Sequence, residues 1–161
     1  FVDGGSVLVR TKSKLARLKD MKGKRIAVIA GTTTEHGLTR ALTNAEAPAI
    51  LVPVKNGAEG MALLTQGKVD GYAGDRVVLA GFRIRASSPD SYEIIGEDFS
   101  FEPYAIALPR NDADFRLVIN SALAALYRTG DIDPIFLRWL GNLGKPGPLL
   151  HSMFYLNTLP E

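Results

Sequence analysis

Two short runs in this 161-residue chain carry groups that can hold opposite charges. Gly31-Thr32-Thr33-Thr34-Glu35 follows a predicted strand, Arg25 to Ala30, and opens a predicted helix. Hydroxyls and unpaired backbone N–H groups at a helix start, aided by the helix dipole, suit a carboxylate. Asp75 follows a second predicted strand, Val69 to Ala73, and offers an acceptor for an ammonium group. Together the two runs suit both ends of an amino acid, which indicates a binding module rather than an enzyme. Each run also has a plainer reading, Thr32 to Glu35 as a helix cap and Asp75 as the N-cap of the helix after it. A carboxylate has two oxygens, so for Asp75 both roles can coexist.

Other chemistries find no motif here. The chain lacks a Gly-x-Ser-x-Gly elbow, a P-loop and a dinucleotide fingerprint, since Gly71-Tyr72-Ala73-Gly74 has the wrong spacing. His36 and His151 stand far apart outside any ligand-spaced pattern, and there is no cysteine, so neither a metal nor another cofactor is expected. The 19 basic and 17 acidic residues are spread along the chain for a net charge of +2, which leaves no footprint for nucleic acid or an anionic membrane. No apolar run approaches the ~20 residues that span a bilayer. The start, Phe1-Val2-Asp3-Gly4-Gly5, has no signal core, so the chain is expected to be soluble and, beginning with Phe, to be a processed or excised product.

The elements that must position these groups follow from periodicity. Strands are expected at Ser6 to Arg10, Arg25 to Ala30, Ile50 to Val54, Val69 to Ala73 and Tyr92 to Gly96. Helices are expected at Lys14 to Met21, at Glu35 to Ala45 with Leu38 and Leu42 on one face, at Ala58 to Gln66 closed by Gly67, and at Arg76 to Arg85 with its apolar residues at Val78, Leu79 and Phe82. This β-α-β-α rhythm is that of an α/β fold with an open, mostly parallel sheet, in which ligands bind outside the carboxyl ends of the strands. After an extended run, Phe101 to Leu108, the pattern turns helical. One stripe is Phe115, Val118, Ile119, Ala122 and Leu126, and another is Ile132, Ile135, Phe136 and Trp139, with Trp139 read as core packing. Lys145-Pro146-Gly147-Pro148 reads as a turn into the apolar segment Leu149 to Leu159.

The order and spacing of several segments resemble the periplasmic solute-binding proteins of polar amino acid ABC transporters, closest to the glutamate/aspartate type. The segments are Leu18-Lys19-Asp20-Met21-Lys22-Gly23-Lys24-Arg25-Ile26-Ala27-Val28, Ala30 to Glu35, Gln66-Gly67-Lys68-Val69-Asp70-Gly71-Tyr72, Asp75, and Glu102-Pro103-Tyr104-Ala105-Ile106-Ala107-Leu108. The resemblance implies a type II periplasmic-binding-protein-like lobe over residues 6–97, and over 98–161 a C-terminal helical return into the other lobe. The N-terminal half of that other lobe is absent, and with it the family's arginine for the ligand carboxylate.

What the resemblance implies for the site is specific. Gly31, Thr32, Thr33 and Thr34 would take the α-carboxylate and Asp75 the α-ammonium of a polar amino acid. Asn56 stands where glutamate/aspartate-type members often have histidine, and an amide suits carboxylates, amides and neutral polar groups alike. The implied partners are the membrane subunits of an ABC permease, the implied location is the periplasm, and no catalysis is implied. Two other classes stay open. One is an enzyme resembling cyclohexadienyl dehydratase, with Glu59 or Glu102 as the acid. The other is a sensor or assembly module with a vestigial site. The open helical stripes lead us to expect self-association as a dimer, by exchange of the C-terminal segment across Asp98 to Pro103.

Overall fold

The computed structural model describes residues 2–141 and 148–159 and divides into two compact units. The first is Asp3–Glu102, and the second is drawn from Val2 and the described residues after Glu102. A small ribbon of β1 (Val2–Asp3) and β7 (Glu102–Pro103) contains both points where the chain passes from one unit to the other.

The first unit holds β2 (Gly5–Arg10), β3 (Arg25–Ile29), α1 (Thr33–Asn44), β4 (Ile50–Val54), α2 (Gly57–Thr65), β5 (Gly71–Asp75), α3 (Arg76–Arg85) and β6 (Tyr92–Ile94). Its sheet has the order β4-β3-β5-β2-β6. β3 is parallel to β4 and β5, whereas β2 runs against both β5 and β6, so the sheet is mostly parallel with one reversed strand. Pro53 is tolerated because β4 lies at the edge.

Period-2 alternation decides the two faces. Val7, Val9, Ile26, Val28 and Ala73 point into a core completed by Leu38 and Leu42 of α1. Leu8, Ala27 and Tyr72 point the other way, to Leu64 of α2 and Leu79 of α3. Helices on opposite faces follow from connectivity. The chain steps from β3 outward to β4 and then back past β3 to β5, and right-handed crossovers then require opposite sides.

Several expectations need correction. Of the helix expected over Lys14 to Met21 only a 3-10 turn at Leu18–Met21 forms, with another 3-10 turn just before the span at Thr11–Ser13. Side chains compete with the helical ladder there: the Ser13 hydroxyl donates to the Arg10 carbonyl, and the Asp20 carboxylate accepts the N–H groups of Ala16 and Arg17. Those two donors hold the Asp20 carboxyl below its ordinary value. Of the apolar residues of α3, Leu79 is buried and Val78 is exposed.

The second unit holds α4 (Ala113–Thr129), α5 (Ile132–Leu140) and α6 (Pro148–Leu156). Of the expected Lys145 to Pro148 turn, residues 145–147 lie outside the described residues, and Pro148 opens α6. The stripe expected on α4 is rotated. Phe115 and Val118 are exposed, and Ile119, Leu123 and Tyr127 face an open apolar groove of about 760 Å³ shared with Phe136 and Phe154. α4 carries apolar residues on more than one side, so periodicity alone does not select the face. Trp139 lines the same groove but is 73% exposed, so within the described residues it is not core.

Two glycines test the packing with opposite signs. A Cβ on Gly60 in α2 would sit 2.5 Å from the Tyr72 ring, whereas one on Gly81 in α3 would meet only the movable end of Arg85 at 3.3 Å. Gly60→Ala should destabilise the fold by about 1–3 kcal/mol through overpacking. Gly81→Ala should stabilise it by up to about 1 kcal/mol through helix propensity. Urea unfolding of both variants checks the pair, and equal shifts would contradict this packing.

Candidate functional site

Strand register brings the expected site residues to one edge. Ile29 pairs with Val54 across β3 and β4, and Ala27 with Tyr72 across β3 and β5. Carried forward, the same register sets Ala30 level with both Lys55 and Asp75. The starts of α1, α2 and α3, at Thr32, Asn56 and Asp75, therefore lie along the carboxyl edge of three neighbouring parallel strands. α1 covers one face of the sheet and α3 the other, so the gap beyond β3 and β5 is the switch-point crevice of an open α/β sheet.

Two of the three helices are capped alike. At α1, Thr32 Oγ1 accepts the Glu35 N–H at 3.2 Å, and Glu35 Oε2 accepts the Gly31 N–H at 2.7 Å. At α2, Asn56 Oδ1 accepts the Glu59 N–H at 3.0 Å, and Glu59 Oε2 accepts the Lys55 N–H at 2.8 Å. In both, the glutamate reaches one residue beyond the N-cap, a variant of the reciprocal box. Gly31 adopts φ +72°, where a side chain would be strained, and this lets the chain turn from β3 into α1.

These bonds define which groups remain for a ligand. The Thr32 hydroxyl also donates to the Ile29 carbonyl at 2.7 Å, so it is engaged on both sides. An anion at α1 would instead meet the first-turn N–H groups of Thr33 and Thr34, which have no partner within the helix, and the hydroxyls of those residues. Asn56 commits its oxygen to the cap and keeps its amide N–H groups as donors. Glu59, a candidate acid, is exposed and holds the start of α2.

The third helix is capped from a distance. The Asp75 side chain makes no cap bond to α3. Asp3 does so in its place, with Oδ2 accepting the Val77 N–H at 3.0 Å from 74 residues away in sequence. Nothing local to Asp3-Gly4-Gly5 signals this. The antiparallel register that pairs Gly5 with Asp75 creates it. Burial pushes the Asp3 carboxyl above its ordinary value of 3.8, with the Val77 and Gly4 N–H groups pulling it back and the negative charges of Asp75 and Asp98 adding to the rise. Beneath the edge, Tyr72 is buried with its ring edge-on to Phe82 at 6.0 Å. Burial, and then the Asp75 charge, raise its phenol. His36 is exposed, and among the described residues no group of His, Asp and Glu side chains is arranged to hold a metal.

No protein-family model matches the chain. It is similar to a glutamate/aspartate import solute-binding protein of Salmonella typhimurium, 28% identical over 142 residues that make up 88% of this chain and 47% of that protein. Among solved structures, an ABC transporter periplasmic binding protein from Brucella ovis with glutathione bound superposes with a TM-score of 0.74 at 26% identity, over 82% of this chain and 42% of that one. The GluR0 ligand-binding core in complex with L-glutamate superposes with a TM-score of 0.69 at 26% identity, over 88% and 61%. The chain thus spans about half the length of the curated relatives it matches.

The Asp3 cap carries a pH signature. A carboxyl raised in the folded state favours folding while protonated and opposes it once charged, an opposition that sets in as pH climbs from 3.8 through the raised value. Asp3→Asn keeps an acceptor for Val77 and removes the charge. Its melting temperature should exceed the parent's near neutral pH, and the gain should disappear at about pH 3. A gain that persists in acid would exclude charge burial as the cause.

Proposed function

We propose that this chain, a relative of the solute-binding proteins of amino acid ABC transporters, carries one side of a non-catalytic binding site for a polar L-amino acid of the glutamate, aspartate or glutamine kind. The observation that carries this reading is the shared edge at which three helix starts meet: Thr32 to Thr34, Asn56 and Asp75. An α-carboxylate at the first turn of α1 gains N–H donors and the positive end of the helix dipole. An α-ammonium beside Asp75 gains a charge-assisted hydrogen bond. The ligand side chain then falls toward Asn56, whose amide donors accept a carboxylate or an amide oxygen. Similarity to the import protein supports a role in uptake with ABC permease subunits and a periplasmic location. No helix among the described residues is long and apolar enough to cross a membrane.

Thermal unfolding with a panel of L-amino acids tests the site. A ligand at about 100 times its dissociation constant adds about 2.7 kcal/mol, a shift of several degrees for a domain of this size. The shift should appear with glutamate, aspartate or glutamine and vanish in Asp75→Asn. No shift with any amino acid would overturn the reading.

Self-association belongs to the same proposal, with a second copy of the chain as the occupant of the helical face. Its support is the concentration of exposed apolar side chains in the second unit, among them Trp139, Tyr155, Leu156 and Leu159. Light scattering should show a mass that rises with concentration. A constant monomer mass would exclude this part alone.

A further inference from the structure

Arg76 follows Asp75 directly and is the first residue of α3. Its backbone N–H donates to the Gly4 carbonyl at 2.8 Å. Its guanidinium reaches the opposite segment: Nε donates to Asp98 Oδ1 at 2.7 Å, and one terminal nitrogen lies 2.6 Å from the same oxygen. That terminal nitrogen also donates to the Ile95 carbonyl at 2.9 Å and to the Ser6 hydroxyl at 3.2 Å. Ser6 is fully buried, and its hydroxyl donates in turn to the Glu97 carbonyl at 2.9 Å.

One residue thus joins three pieces of chain: the start of α3, the segment 3–6 and the segment 95–98. The last two are also bonded to each other a few residues further on. The Gly5 N–H donates to the Ser100 hydroxyl at 2.9 Å and the Phe99 N–H to the Gly5 carbonyl at 2.8 Å. Packing leaves little slack, because a Cβ on Gly4 would lie 2.9 Å from both Asp98 and the Ser100 carbonyl. These segments run into β1 and β7, where the chain leaves the unit in both directions. The Asp3 cap on Val77 adds a second tie between α3 and the same strand.

We infer that Arg76 is a positioning residue of the amino acid site, holding Asp75 and the first turn of α3 against the two connecting segments so that ligand bound at Asp75 orders those segments as well. The inference rests on the binding reading above. Its physical basis is a fork of planar donors on a carboxylate and buried acceptors, a geometry that an ammonium does not reproduce. A ligand that fixes Asp75 restrains the adjoining Arg76 backbone, and through it Gly4 and Asp98.

Amide hydrogen exchange tests this in the full chain, with saturating L-glutamate, L-aspartate or L-glutamine as the probe. In the parent, ligand should slow exchange at Thr33 and Thr34, at the site, and also at Gly5 and Phe99, in the connecting segments. Arg76→Met should keep ligand protection at Thr33 and Thr34, lose it at Gly5 and Phe99, and bind about tenfold more weakly, the scale of one charge-assisted hydrogen bond. Arg76→Lys should restore only part of the remote protection. Should Arg76→Met fail to fold, Asp98→Asn removes the charge partner alone and is expected to weaken the remote protection in the same way. Undiminished protection at Gly5 and Phe99 in either variant overturns the inference. Protection confined to Thr33 and Thr34 in the parent overturns it while leaving the binding reading intact. No protection anywhere overturns both.

Discussion

Every parallel strand that hands its chain to a helix leaves unpaired N–H groups at that helix's start, and in this sheet three such starts fall along one edge. Those donors must be satisfied by side chains or by something bound, and the arrangement of the edge follows from that requirement. α1 and α2 solve it locally, with an oxygen of the N-cap residue on the third N–H and a glutamate reaching back. α3 solves it with Asp3, contributed by β1. The first-turn N–H groups of Thr33 and Thr34 are left over, and they suit an anion for the reason that makes them costly when unpaired.

Using Asp3 in place of Asp75 as the cap of α3 gathers negative charge at the edge. Burial first, and then the negative charges of Asp75 and Asp98, raise the Asp3 carboxyl. Arg76 offsets part of this by bonding Asp98, and both side chains of that pair are partly exposed, so the pair's worth lies in geometry more than in Coulomb energy. Buried Ser6 sits between the guanidinium and the carbonyls of Ile95 and Glu97, and carries the tie into the core of the sheet. A cation arriving at Asp75 would relieve the same repulsion. Charge balance and chain position at this edge are therefore one problem.

The second unit meets a different constraint. Its helices are amphipathic, and helices with no sheet to cover among the described residues must bury their stripes against one another. α4, α5 and α6 do so incompletely. Tyr127 stacks on Phe154 at 5.1 Å, while the groove beside them stays open. Apolar surface of this kind favours a covering surface wherever one is within reach.

The local chemistry of the edge was legible in the sequence. Thr32 and Glu35 three apart, Gly31 before them and Asn56 before Gly57 each mark a strand-to-helix turn through short-range backbone requirements, whereas the local capping role open to Asp75 is taken by Asp3. Tertiary structure alone decided the rest. β2 lies against β5 in antiparallel register, and only that register delivers Asp3 to Val77 and brings Gly4 to Arg76, while Asp98 arrives through the pairing of β6 with β2. The same holds for the face α4 turns inward, since apolar residues on several sides of a helix leave the choice to whatever packs against it. Patterns over a few residues record what the backbone must do locally. Contacts across 70 or more residues depend on strand order and register, which no short pattern encodes.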